Sequence, residues 1–224
     1  IGQSTTLSGR AIAKHMDAYV NECITGEYDH LGKAIIYGDT DSAYFSAYPM
    51  VKEQIEKGEL EWNKDFAIKL YDSIAEKVNE SFPDFMKDAF NCPRKNGEII
   101  VGGREMVASK GLFITKKRYA LLYYDIEGFR TDTGESPGKI KAMGLDLKRS
   151  DTPKIVQDFL SDVLTGVLTG NGRDETLEKV KQFKEEFMLR PAWEKGSPRR
   201  ANNMTKFQAM EERLGKANMP GHVR

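Results

Sequence analysis

The chain has little of several things that would settle its class at once. It holds two cysteines in 224 residues, Cys23 and Cys92, far apart and without Cys-x-x-Cys or Cys/His spacing, so neither a zinc site nor a disulfide framework is expected. No apolar run approaches the ~20 residues of a membrane span, and no charged-then-apolar leader opens the chain, so it reads as soluble and cytosolic, in a reducing compartment. Net charge is also absent: 34 Lys and Arg balance 34 Asp and Glu, so only the distribution of charge can speak of a polyanionic partner. There is no internal repeat and no low-complexity tract. The chain opens at Ile1 rather than Met, and truncation at both ends is expected.

What is present is organised in two stretches. Leu7, Ala11, Ile12, Met16, Tyr19, Val20 and Cys23 recur at helical spacing and predict an amphipathic first helix. Two β-prone runs, Ala34 to Tyr37 and Ala43 to Phe45, flank the polar turn Gly38-Asp39-Thr40-Asp41 and predict a hairpin with acids at its tip. A second helix is expected from about Asn63, ending near Pro83. Residues 98–147 are rich in Val, Ile, Phe and Tyr between glycines, as expected for antiparallel strands, the clearest being Tyr119 to Ile126. Thr131 to Gly138 is loop by composition. Helical periodicity returns after Ser150-Asp151-Thr152-Pro153 and again from Asp174 to Met188, so an α+β domain to residue 149 is expected to give way to a helical one, 150–224.

Two carboxylates one residue apart on a hairpin tip can aim oxygens into one small volume, which suits hard cations such as Mg²⁺. Asp-Thr-Asp-Ser is also an ordinary turn composition, and most arbitrary Asp-x-Asp pairs are solvated turns. An EF-hand is excluded, because counting from Asp39 puts Tyr44 at the glycine position and Met50 at the final glutamate position.

The string Tyr37-Gly38-Asp39-Thr40-Asp41-Ser42 resembles the Tyr-Gly-Asp-Thr-Asp-Ser motif of family B DNA polymerases. The similarity continues in order through Gly102-Gly103-Arg104-Glu105, Ser109-Lys110-Gly111, Thr115-Lys116-Lys117-Arg118-Tyr119-Ala120 and Lys139-Ile140-Lys141-Ala142-Met143-Gly144-Leu145. The helix start Ser150 to Lys154, Ala201-Asn202-Asn203 and His222-Val223-Arg224 are similar to the tailed-phage, T-even-like branch.

The resemblance implies the C-terminal part of a palm, an antiparallel sheet with packed helices (1–149), and the start of a mainly helical thumb (150–224). The implied activity is DNA-directed DNA polymerisation in phage replication, adding deoxynucleotides to a primer 3′ end with two Mg²⁺ ions. Asp41 is implied as the bridging metal ligand, Asp39 as a shaper of the hairpin and its field with a share in catalysis and metal binding, and Glu105 as an outer carboxylate. Gly103 stands where related phage enzymes can carry an Asp, and Ala43 where a larger aliphatic residue is usual. The family's other metal-binding Asp, the nucleotide-binding fingers and the exonuclease would lie before Ile1. The implied partners are therefore primer-template DNA, deoxynucleoside triphosphates and the missing N-terminal half, with no membrane, in the cytoplasm of the infected bacterium.

Cations cluster on the neutral chain. Residues 106–124 hold Lys110, Lys116, Lys117 and Arg118 and no acid; 138–149 hold Lys139, Lys141, Lys148 and Arg149 against Asp146; 195–207 hold Lys195, Arg199, Arg200 and Lys206 without an acid. Such islands can neutralise phosphates, although strand-edge lysines also serve only to keep edges solvated. The resemblance implies DNA contacts from Lys116, Lys117, Arg118, Tyr119, Lys139, Lys141, Arg199 and Arg200, with Lys117 and Tyr119 near the primer end. Two alternatives come from other classes: a DNA-binding subunit or remnant of a split polymerase, inactive alone, and a two-metal nucleotide cyclase, whose Gly-Gly-Asp/Glu-Glu-Phe hairpin does not occur here. Tyr123, Tyr124 and Phe113 are expected in the core, and His15 and His30 lack ligand-spaced partners.

Overall fold

The structure is a computed structural model that describes residues 2–197 and 204–215. It is α+β, with helices outweighing two antiparallel sheets. The chain divides into two compact units: Ile1–Lys117 with Leu121–Lys141, and Arg118–Ala120 with Ala142–Arg224.

The first unit begins with α1 (Gly2–Thr25), followed by the hairpin strands β1 (Ile35–Asp39) and β2 (Ser42–Phe45), α2 (Tyr48–Glu56), α3 (Lys64–Phe90) and the short α4 (Arg94–Gly97). β3 (Met106–Thr115), β4 (Arg118–Ile126), β5 (Phe129–Arg130) and β6 (Lys139–Met143) form the second sheet, in the order β3-β4-β5 with β6 also paired to β4. The helical period of the sequence explains the core: Val20 of α1 and Ile74, Val78 and Phe82 of α3 pack with Ala47, flanked by Ile12, Met16 and Tyr19. Each large apolar side chain buried here contributes about 1.5–3 kcal/mol.

α3 corrects the expected stop near Pro83. The helix starts where Asn63 accepts the Phe66 N–H at 2.9 Å, runs through Pro83, and ends at Asn91 in the left-handed region (φ 49°). Pro83 removes one backbone donor, a loss of about 3 kcal/mol in an isolated helix, but its ring is buried beside Phe82 on the packed face. α2 was not foreseen; Pro49 sits in its first turn, where its missing donor is harmless.

Two buried polar side chains fix what leads into the hairpin. Asn21, 1% exposed, donates to Glu27 O (2.8 Å) and accepts from Ala34 N (3.1 Å), tying the 26–34 loop to α1. A Cβ on Gly32 would lie 2.0 Å from the Asn21 side chain, so this close approach requires glycine. His15 is a satisfied core histidine: Nδ1 lies 2.7 Å from the Tyr28 hydroxyl and Nε2 2.9 Å from Ser81 Oγ, while its ring stacks on Phe85 at 4.0 Å. Burial lowers its pKa, because a desolvated ring disfavours the charged form.

The second unit, beyond its strand residues Arg118–Ala120 and the end of β6, is helical: α5 (Lys154–Thr169), α6 (Arg173–Leu189), α7 (Ala192–Lys195) and α8 (Met204–Leu214), preceded by a 3₁₀ turn at Asp146–Lys148. Pro153 caps α5 and Gly170, at φ 114°, ends it; Phe159 and Phe183 stack at 3.8 Å to join α5 to α6. Among the described residues no helix is long and apolar enough to cross a membrane.

Candidate active site and nucleic-acid interface

The carboxylate hairpin forms as the two β-prone runs predict, with its turn displaced by one position. Asp39 ends β1 opposite Ser42, and the tip is Thr40-Asp41, with Thr40 at φ 37° and the Asp41 N–H bonded to Asp39 O. Asp41 is exposed, and its carboxylate has no ion-pair partner among the described residues. Asp39 is half-buried; it accepts from Thr40 Oγ1 at 3.2 Å and lies 4.0 Å from Lys117 Nζ.

Beside the hairpin runs a cleft of about 460 Å³, lined at its rim by Asp41, Arg104, Glu105, Ser109 and Lys110 and at its floor by core residues such as Val20 and Ile74. Its long walls are β2 and the 102–111 segment, so Asp41 and Glu105 face one space. The Gly102–Glu105 segment is bolted in place from two sides. Asn79 exchanges two hydrogen bonds with the Gly102 backbone, 2.7 and 3.0 Å, and Arg104 donates to Asp72 (2.5 Å) and to Asp125. Asp125 is 1% exposed, so Arg104 is the counter-ion of a buried charge.

Glu105 pairs with Lys141 at 2.7 Å, bringing two predicted site residues together with each other. Lys139 is exposed at the start of β6, where a Cβ on the preceding Gly138 (φ 129°) would lie 2.3 Å from Tyr123 O, so only glycine lets the chain enter against β4. Lys116 and Lys117 form the turn between β3 and β4 and are exposed, as is Arg118. Tyr119 follows directly and is buried, 4% exposed. Arg199 and Arg200, like Ala201 to Asn203 and His222 to Arg224, lie outside the described residues. Tyr124 is core as expected, whereas Tyr123 and Phe113 are half-buried.

Sequence reasoning missed three contributors. Arg104, named in its motif without a role, and Asn79 were missed because nothing in composition names their partners. The third is Asp17 on α1, behind the hairpin: its Oδ2 would lie 3.6 Å from a Cβ on Gly38, and its buried Oδ1 meets no hydrogen-bond donor among the described residues. Burial raises the Asp17 pKa to about 6, against a smaller opposing pull from His30. The native state therefore binds more protons than the unfolded chain between 3.8 and about 6, and stability is lost as pH rises through that window. Asp17→Asn should raise the melting temperature more at pH 8 than at pH 3.5; equal shifts at the two pH values would refute an ionisation penalty.

Over a fraction of their length, the chain is similar to DNA-directed DNA polymerases of phages that are family B enzymes. It is 28% identical over 188 residues to the DNA-directed DNA polymerase of Enterobacteria phage T4, covering 79% of this chain and 20% of the phage protein. It is 30% identical over 168 residues to that of Escherichia phage RB69, covering 70% and 17%, and 24% identical over 183 residues to DNA polymerase 037L of Invertebrate iridescent virus 6, covering 80% and 13%. The chain thus spans a fifth or less of the length of these relatives. No protein-family model matches it.

Proposed function

We propose that this chain is the C-terminal palm portion and the first part of the thumb of a phage DNA polymerase, and that it supplies part of a two-metal nucleotidyl-transfer site. The palm reading belongs to 1–149 and the thumb reading to 150–224. The observation that carries it is the hairpin tip: two carboxylates held at Asp39 and Asp41 with the Lys117 ammonium 4.0 Å from the first. Asp41, exposed and unpaired among the described residues, has the hard oxygen donor that Mg²⁺ takes. Among the described residues no three His, Cys, Asp or Glu side chains gather to hold an ion, so Asp41, with Asp39 on the same hairpin and Glu105 lining the same cleft, would complete a ligand set with residues beyond those described. Bound there, Mg²⁺ would offset charge on the attacking and leaving oxygens.

The chain's own residues have separate tasks. Asp39 sets the field at the tip, Lys116, Lys117 and Arg118 contact primer-template phosphates, and Lys139 adds to that surface. The buried Tyr119, Lys141 beside Glu105, and Arg199 and Arg200 remain DNA contacts proposed from sequence. Partners are primer-template DNA, deoxynucleoside triphosphates and the remaining polymerase, in the infected bacterial cytoplasm. Among the described residues β2 pairs with β1 alone and β3 with β4 alone, so two strand edges border the cleft, a place where the remaining polymerase could dock. The incomplete ligand set also favours a second reading, a DNA-gripping subunit inactive alone; primer extension with and without a supplied N-terminal half separates the two.

DNA binding is tested without that half. Replacing Lys116, Lys117 and Arg118 together by Ala should weaken duplex binding similarly for different sequences, and should reduce the slope of log affinity against log salt by about 0.9 for each phosphate no longer neutralised. An unchanged slope in a folded variant, read by fluorescence anisotropy, returns these cations to the role of solvated edge.

A further inference from the structure

The hairpin and the basic turn are joined by one side chain to which no role has yet been given. Register slips between Ile35 and Tyr37, because Ile35 faces Phe45 while Tyr37 faces the very next residue, Tyr44. Ile36 is therefore the extra residue of a bulge, a device that re-aims the side chains that follow it. The re-aimed Tyr37 ring packs on Tyr44 (5.5 Å) and on Phe113 of β3 (5.5 Å), and Phe113 closes the triangle on Tyr44 at 5.7 Å. So held, the Tyr37 hydroxyl accepts the Lys117 backbone N–H at 2.9 Å. Lys117 has φ 60°, a conformation that a lysine adopts only against its own preference. Thr40, at the facing tip, is left-handed too. Two turns in sparsely populated conformations are thus fastened to each other, with Lys117 Nζ 4.0 Å from Asp39.

We propose that Tyr37 is a positioning residue: it locks the Lys116-Lys117 turn onto the carboxylate hairpin, so that the cations meet duplex phosphates in register with Asp39 and Asp41. The proposal rests on the DNA-binding reading of that turn. Glycine at residue 117 would relieve the backbone but would remove the cation; the lock lets lysine stand there instead. Because the aromatic triangle is independent of the hydroxyl, Tyr37→Phe removes the bond and spares the packing.

In the full chain, Tyr37→Phe should speed amide exchange at Lys117 by about tenfold while leaving α3 amides unchanged. It should weaken primer-template binding about fivefold, the equivalent of one ordinary hydrogen bond. Lys117→Asn, which tolerates a positive φ and keeps the donor, should retain slow exchange yet lose binding and salt slope. In a Lys116→Ala/Lys117→Asn background, Tyr37→Phe should add no further loss of affinity. Unchanged exchange at Lys117 in Tyr37→Phe overturns the lock, and a fully additive loss of binding in the combined variant overturns its action through the turn. If Lys117→Asn binds duplex normally, the DNA reading of the turn fails instead, and exchange at Lys117 still decides whether the lock exists.

Discussion

Asp41→Asn, placed in an assembled polymerase, is expected to lower kcat/KM by several orders of magnitude while leaving duplex affinity and thermal stability nearly unchanged. The Asp41 carboxylate is exposed and unpaired among the described residues, so its charge serves nothing in the fold. Asparagine keeps its shape and removes the anion that a hard cation needs, an interaction felt mainly as charge develops on the reacting oxygens. Asp39→Asn should cost less. Asp39 is half-buried, bonded to Thr40 and close to Lys117, a solvent-screened pair worth about 0–1 kcal/mol at most. Steady-state kinetics on the two variants, with anisotropy for DNA binding, gives the ordering. Equal and small effects would reduce the hairpin to a turn.

The hairpin was legible because short-range chemistry made it: β-prone runs on either side of Gly-Asp-Thr-Asp leave the chain few alternatives. The bulge at Ile36 was not, since it depends on which strand positions find Tyr44 and Phe113, a tertiary fact. For α3 the local rule pointed the wrong way. A proline ordinarily stops a helix, yet burial of Phe82 in the core with Val20 of α1, and of Pro83 against Gly97, outweighs one lost hydrogen bond. The glycines at residues 32 and 138 look alike in sequence, and only the distances to Asn21 and Tyr123 reveal that each is required.

The largest effect on stability is expected at Arg104, which composition left anonymous. Its side chain is 11% exposed and joins Asp72, on α3, to Asp125, whose side chain is 2% exposed inside β4. A buried pair of this kind adds little net stability over an apolar replacement, because desolvating both ions costs about as much as their attraction returns. Removing one partner is different: Arg104→Met leaves the Asp125 carboxylate in the interior with the Gly128 N–H, at 3.2 Å, as its remaining side-chain partner among the described residues. The expected loss is about 3–5 kcal/mol, read as a fall in the urea midpoint at constant m-value. Asp125→Asn added to Arg104→Met should return much of it, since the neutral amide needs no counter-ion and the two changes act on one ion pair. Glu105 follows Arg104 directly, so the single variant should also loosen the rim of the cleft, seen as faster amide exchange at residues 102–106. A single-variant loss below about 1 kcal/mol, or a double variant no more stable than the single, would show that Arg104 does not neutralise a buried charge and that the cleft rim is held by Asn79 alone.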